Sequence, residues 1–245
     1  MSFIVKFINN FADSFSEKFY QNLISENRWQ LVIKGLLITL EVTFFAVLLG
    51  IAIGFVIAII RSTYDTTLKP GILLRILNGI SKVYLTVVRG TPVIIQLLIV
   101  YFVIFASVDV NKVVAAVIAF GINSGAYVAE IVRSGIMSVD KGQLEAGRSL
   151  GLNYFQTMTT IILPQALKNI LPALGNEFIV LLKETSVSGY IALMDLTKAA
   201  DTIRSRTYEA FFPLLTAAFV YLILVMILSA GVTRLERWLR KSDRR

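Results

Sequence analysis

From Leu31 to Ile60 the chain runs for thirty residues with only two charges, Lys34 and Glu41. A helix rises about 1.5 Å per residue and the hydrocarbon core of a bilayer is about 30 Å thick, so roughly 20 apolar residues cross it. The Leu31–Ile60 stretch is long enough to span with tilt, and Arg61 closes it. Further apolar runs follow at Val93–Ala106, Val113–Val132, Ile170–Met194 and Phe211–Ala230. With 56% hydrophobic residues among 245, the composition is extreme for a soluble domain. The reading is an all-α integral membrane protein with five transmembrane helices. Ile72–Val88 carries Arg75, Asn78 and Lys82, so it is expected to be interfacial or pore-facing rather than lipid-exposed.

The first thirty residues do not read as a cleaved signal peptide, because Lys6, Asp13, Glu17 and Lys18 interrupt any apolar core. Phe3, Phe7, Phe11, Phe15 and Phe19 instead recur every fourth residue, a stripe that drifts slowly along one helix face. An amphipathic helix lying in the membrane interface explains that pattern; packing of the stripe on a dimer or bundle is the other explanation. The chain thus divides into an interfacial helix over 1–29, a transmembrane region over 30–235 and a basic tail over 236–245.

The chain has no cysteine and no histidine. Thiolate chemistry, disulfides, zinc sites of the usual ligand types and an imidazole base are all excluded. The formal charge of +8 reflects cytoplasmic segments of a membrane protein rather than a nucleic-acid surface. With the C-terminal tail inside and five spans, the N-terminus lies outside. Thirteen Lys and Arg then fall in the inner segments, six of them between Arg234 and Arg245, against seven outside. The positive-inside rule therefore favours an N-out, C-in topology.

The polar segment Arg133–Gln165 is too regular for a plain loop. Asp140 with Gln143 fits a capping box, and Glu145 lies early in the helix, where a carboxylate suits the dipole. Gly151 suits a left-handed helix end, Asn153 with Gln156 repeats the cap pattern, and Pro164 marks a new beginning. Two short helices joined at Gly151, about 138–165, are expected to project into the cytoplasm and to need a partner surface.

Glu145-Ala146-Gly147, then Gly151-Leu152, then Ile161-Ile162-Leu163-Pro164 resembles the EAA loop of ABC importer permeases. Gly147 departs from the pattern, since many members carry a second alanine there. Arg89-Gly90-Thr91-Pro92 with Gln96-Leu97, the block from Ala126 to Ile136, and Lys183-Glu184-Thr185-Ser186 are similar to the polar amino acid (histidine/glutamine/arginine-type) permeases. The resemblance covers most of Gln30–Leu235. It implies a coupling role, docking on an ATPase, for Glu145, Ala146, Gly147, Gly151, Leu152, Leu163 and Pro164. It also implies a prokaryotic inner-membrane location, a dimer of ATP-binding subunits and an extracytoplasmic solute-binding protein. No G-x-x-x-x-G-K-[ST] string occurs, so this chain is not expected to bind ATP through a P-loop. The resemblance implies a permease subunit that is not an enzyme, with no cofactor of its own and with ATP and Mg bound by the partner ATPase. Five spans are few for a complete pathway, which calls for a second permease copy as homodimer or heterodimer.

Ionisable residues at membrane depth are costly and mark candidate pathway positions. On the third span Asn123, Tyr127 and Glu130 fall within about 60° on a helical wheel, with Gly121, Gly125 and Ala129 broadly opposite as a packing stripe. Glu130 either meets a substrate cation or pairs with Arg133 one turn on. Glu41, Lys183, Glu184, Thr185 and Ser186 complete the candidates. A cationic substrate such as arginine or lysine would match Glu41 and Glu130; glutamine is the alternative. A secondary transporter or a membrane scaffold is the competing class; the first does not need the paired helices at 138–165, and the second does not require Asn123, Glu130 and Lys183 inside the bilayer.

Overall fold

The computed structural model describes residues 15–241, and their regular structure is helical throughout. Helix α1 spans Trp29–Thr66 and α2 spans Ile72–Gly90. Helix α3, Val93–Ile99, runs on through a π turn at Val100–Ile104. Helix α4 is Lys112–Met137, α5 is Lys141–Ser149, α6 is Tyr154–Thr157 and α7 is Leu163–Glu184. Helix α8 is Leu196–Thr207 and α9 is Phe211–Arg240. Three of these, α1, α4 and α9, are long and apolar enough to cross a membrane; α2 with α3, bent by 108°, makes a fourth if the pair is one span.

Small residues set the central packing. A Cβ on Gly50 would lie 2.9 Å from the Ser124 side chain, and one on Gly54 would lie 2.5 Å from that of Val128. Gly121 in turn receives Leu49, and Gly125 receives Ile53. The expected stripe of Gly121 and Gly125 therefore packs as read, against α1. Residue numbers rise together along this contact, so α1 and α4 are parallel. A parallel pair requires the intervening chain to return along the bundle, which is what α2 and α3 do. Val42, Ala46, Leu97, Phe120 and Leu181 form the main core beside them.

Helix α7 runs antiparallel to α4: Gly135 lies against Ile170, while Ser124 meets Glu177 further along α7. On its other side Gly175 receives Val232 of α9. The span expected at Ile170–Met194 begins earlier, at Leu163, and leaves the α-helix at Thr185 for a 3-10 turn. Polar Thr185, Ser186 and Ser188 with Gly189 end it. A further helix, α8, follows between the apolar runs Ile170–Met194 and Phe211–Ala230, where the sequence reading named no element. Asp195 caps it by accepting from the Thr197 and Lys198 N–H groups, and Leu196, Ala199, Ala200 and Ile203 form its buried face. Gly35 admits α8 onto α1, since a Cβ there would lie 2.7 Å from the Asp195 carbonyl oxygen.

Phe3, Phe7 and Phe11 of the aromatic stripe lie outside the described residues. Phe15 packs on Phe212 with ring centroids 4.9 Å apart, and Lys18 pairs with Glu209 at 3.1 Å. The described part of the stripe thus leans on the start of α9. Its helix does not continue to residue 29: a π turn at Tyr20–Ile24 and a 3-10 turn at Ser25–Asn27 intervene, with Glu26 and Asn27 at positive φ. At the other end α9 continues as helix into the basic tail, where Glu236 and Arg240 pair at 2.9 Å.

Candidate functional site

The chain breaks helix between α2 and α3 because Pro92 has no N–H to donate and Thr91 is extended. Gln96 satisfies the acceptors this break leaves. Its amide nitrogen donates to the Val88 carbonyl at 2.7 Å, the Thr91 carbonyl at 3.1 Å and the Thr91 hydroxyl at 2.8 Å. Its oxygen accepts from Asn123 Nδ2 at 3.0 Å. One side chain therefore holds the bend and ties it to the polar face of α4.

The rest of that face meets Arg89, the last cation of α2. The Arg89 guanidinium stands 5.7 Å from the centroid of the Tyr127 ring and 3.9 Å from Glu130. Glu130 also lies 3.7 Å from Arg133, which bonds Asp65 at 2.9 Å. Glu130 thus pairs with Arg133, and it also lines an open cleft. That cleft of about 390 Å³ runs between α4 and α7, with Arg89, Tyr127, Glu130, Ser134, Asn169 and Glu177 on its walls. A second of about 680 Å³, on the α2 side, shares Arg89, Tyr127 and Glu130 and adds Arg61 and Lys82.

Tyr127 and Glu130 line both clefts, while Asn123 is buried against Gln96 and lines neither; the other candidate pathway residues stand apart. Glu41 is exposed on the flank of α1, thirteen residues before Gly54, whose partner is Val128. At 1.5 Å per residue that separates it from the level of Glu130 by about 20 Å. Lys183 is exposed and Glu184 half-buried near the end of α7. Thr185 is buried with its hydroxyl committed to the Leu182 carbonyl at 2.8 Å. Ser186 lines a different cleft of about 380 Å³ with Tyr190, Lys198 and Asp201. Hydrogen bonds from Arg204 and Lys198 hold the Asp201 carboxyl below its usual range.

Sequence reading missed the partner of Ser124. Glu177 is 8% exposed and accepts from the Ser124 hydroxyl at 2.8 Å. The one available signal was its place on the α7 face one repeat from Glu184.

The helix pair after α4 is built largely as the caps predict. Asp140 caps α5, but through the Gly142 N–H at 2.7 Å rather than in a box with Gln143. Gly142 leaves the nearer N–H open, so the short aspartate reaches it first. Gly151 has φ +86°; its N–H bonds the Arg148 carbonyl and that of Leu152 bonds the Gly147 carbonyl, the paired closure of a Schellman motif. Asn153 and Gln156 form the full reciprocal box that opens α6. Helix α6 then passes through a π turn at Met158–Ile162 straight into α7, with Pro164 in the first turn of α7. Pro164 therefore starts α7 without a break, because the wider turn before it removes the need for its N–H.

Gly147 has a reason of its own. A Cβ there would lie 2.5 Å from the Thr157 methyl, so glycine lets α5 close on α6. Glu145 and Ala146 are exposed, Leu152 and Leu163 are half-buried and Pro164 is exposed. Leu150, 81% exposed, and Phe155, 74% exposed, stand out from this knuckle uncovered by the described residues, and sequence reading did not single them out.

Residues 50–241 match the family described as the binding-protein-dependent transport system inner membrane component. A putative glutamine transport system permease protein of Rickettsia typhi is 40% identical over 214 residues, covering 86% of this chain and 91% of the relative. The arginine transport system permease protein of Bacillus subtilis is 38% identical over 214 residues, covering 86% and 94% respectively. A crystal structure of an amino acid ABC transporter with histidines superposes with a TM-score of 0.77 at 40% identity, over 87% of this chain and 97% of that one. An inward-facing methionine ABC transporter gives 0.75 over 88% and 99% at 22% identity, a likeness of fold alone.

Proposed function

The chain belongs to the binding-protein-dependent transport system inner membrane component family, and from that premise we propose that it forms the translocation pathway of a polar amino acid importer. It is a multi-pass permease subunit of the polar amino acid ABC transporters and not their ATPase. Its substrates are of the glutamine, arginine or histidine type. In our reading α7 is a further span, giving five crossings with the N-terminus outside and the C-terminus inside. The parallel course of α1 and α4 and the basic tail support that topology.

The α5–α6 knuckle then lies inside and docks on a separate ATPase, which binds ATP and Mg. A solute-binding protein delivers substrate from outside, and a second permease copy, identical or related, completes the pathway. The observation that carries this reading is the doubly capped, glycine-closed helix pair presenting Leu150 and Phe155 uncovered beside Glu145. Two large apolar side chains on a rigid polar knuckle are what an anchor in a partner's groove requires.

Co-expression with the cognate ATPase tests it. Leu150→Asp with Phe155→Asp is expected to leave membrane insertion intact and abolish co-purification of the ATPase. Retention of the ATPase at native stoichiometry would remove the coupling role from this helix pair.

A further inference from the structure

The apolar run of α9, Phe211–Ala230, is long enough to cross the hydrocarbon core, yet the helix continues past it to Arg240. Along the axis Arg234 stands about 6 Å beyond Ala230, at headgroup level, and Lys241 about 16 Å beyond it. Side chains on a helix lean toward its N-terminus, here back toward the bilayer, so long cations past the core reach the headgroups. At about 100° per residue Arg234, Arg237, Trp238 and Lys241 share one face about 100° wide. Glu236, the acidic residue of 231–241, lies on the other side, paired with Arg240 at 2.9 Å. Arg234, Arg237 and Lys241 are exposed and have no ion pair among the described residues, and Trp238 is 68% exposed between them. The same face continues into the membrane as the exposed residues Ile223, Ile227 and Ala230. Val232, which packs on Gly175 of α7, points the opposite way.

We propose that this face of α9 binds anionic phospholipid, with the acyl chains along Ile223 and Ile227 and the negative headgroup against Arg234, Arg237 and Lys241. The chemistry of the face changes where the bilayer changes: apolar in the core, then an indole of the kind that anchors at the interface, then three cations without a carboxylate to meet them. A zwitterionic headgroup brings no net charge to these cations; an anionic one does. The bound lipid fixes the end of the helix whose other side braces α7. The topology read above puts this lipid in the inner leaflet, but the preference for an anionic headgroup does not depend on that side.

The chain has two tryptophans, Trp29 and Trp238, so Trp29→Phe leaves Trp238 as its reporter. The permease–ATPase complex carrying that change is placed in nanodiscs of phosphatidylcholine and phosphatidylglycerol. A nitroxide quencher is attached high on the acyl chain of one lipid or the other, at equal mole fraction. The same complex with Trp238→Phe as well supplies the blank that removes fluorescence from the ATPase. Quenching of Trp238 is expected to be at least about threefold stronger from labelled phosphatidylglycerol than from labelled phosphatidylcholine at low salt. High salt should reduce that preference, because exposed charges are screened. Arg234→Gln, Arg237→Gln and Lys241→Gln together should abolish it, and these exposed positions leave the fold intact. Equal quenching by the two lipids, or a preference that survives the triple substitution, would overturn the proposal. Quenching by neither lipid would overturn it too and give the face to a protein partner. None of these outcomes bears on the importer reading, which rests on the α5–α6 pair.

Discussion

Replacing Gln96 by leucine removes a side chain that serves four partners at the α2–α3 bend: the Val88 carbonyl, the carbonyl and hydroxyl of Thr91, and the Asn123 amide. Thr91 is exposed and its hydroxyl also bonds the Val87 carbonyl at 2.8 Å, so water and that bond replace most of what it loses. Asn123 is 3% exposed and has no such recourse. An unsatisfied buried donor costs about 1–3 kcal/mol, and the Val88 carbonyl adds about 1 kcal/mol. The expected destabilisation of Gln96→Leu is therefore about 2–4 kcal/mol. Side-chain hydrogen bonds between membrane helices measured by double-mutant cycles average only about 0.6 kcal/mol. The coupling between positions 96 and 123 should accordingly be nearer 1 kcal/mol than the whole loss, with Asn123→Leu recovering part of the Gln96→Leu defect. Unfolding of the purified permease–ATPase complex in detergent, followed for the single variants and the double variant, measures both quantities. A Gln96→Leu protein within about 0.5 kcal/mol of native, the range of ordinary surface changes, would refute the assignment of Gln96 as the lock of the bend.

Gly54→Val should reduce stability by about 1–3 kcal/mol through overpacking against Val128, read as a lower unfolding temperature than for Ala52→Val on the exposed face of the same helix. Gly151→Ala places a Cβ at φ +86° and should loosen the α5–α6 turn by about 1–2 kcal/mol, lowering ATPase affinity without affecting insertion. The chain has no native cysteine, so a single cysteine at Arg148 reports topology cleanly. It should resist an impermeant external reagent in intact cells and react after permeabilisation.

The apolar runs made α1, α4 and α9 legible because lipid demands one property of every residue in a span. Helix α7 was harder to bound: Pro164, Lys168, Asn176 and Glu177 dilute its hydropathy, and the run beyond Glu184 is apolar without being α-helical. Helix α8 was missed although Asp195 with Leu196, Ala199, Ala200 and Ile203 carries both the cap and the spacing of a packed helix. Lys198, Asp201, Arg204 and Arg206 keep its hydropathy low, so it does not stand out beside the apolar runs. The Asn123–Tyr127–Glu130 face followed from helical periodicity alone. Its partners did not, because Arg89 and Gln96 reach it through a 108° bend that no local spacing encodes. Glu41 and Glu130 looked equivalent as intramembrane carboxylates; their separation of about 20 Å depends on the register of α1 against α4.

The central claim, that this chain is the pathway of an ATP-driven amino acid importer, is tested most directly by uptake into proteoliposomes holding the permease, its ATPase and its binding protein. Labelled glutamine, arginine and histidine are supplied on the binding-protein side and ATP on the other. The account predicts accumulation of at least one of them that stops when ATP is withheld, when the binding protein is omitted, or when Leu150 and Phe155 are both changed to aspartate. Accumulation driven by an ion gradient in the absence of ATP, and unaffected by those two substitutions, would contradict it.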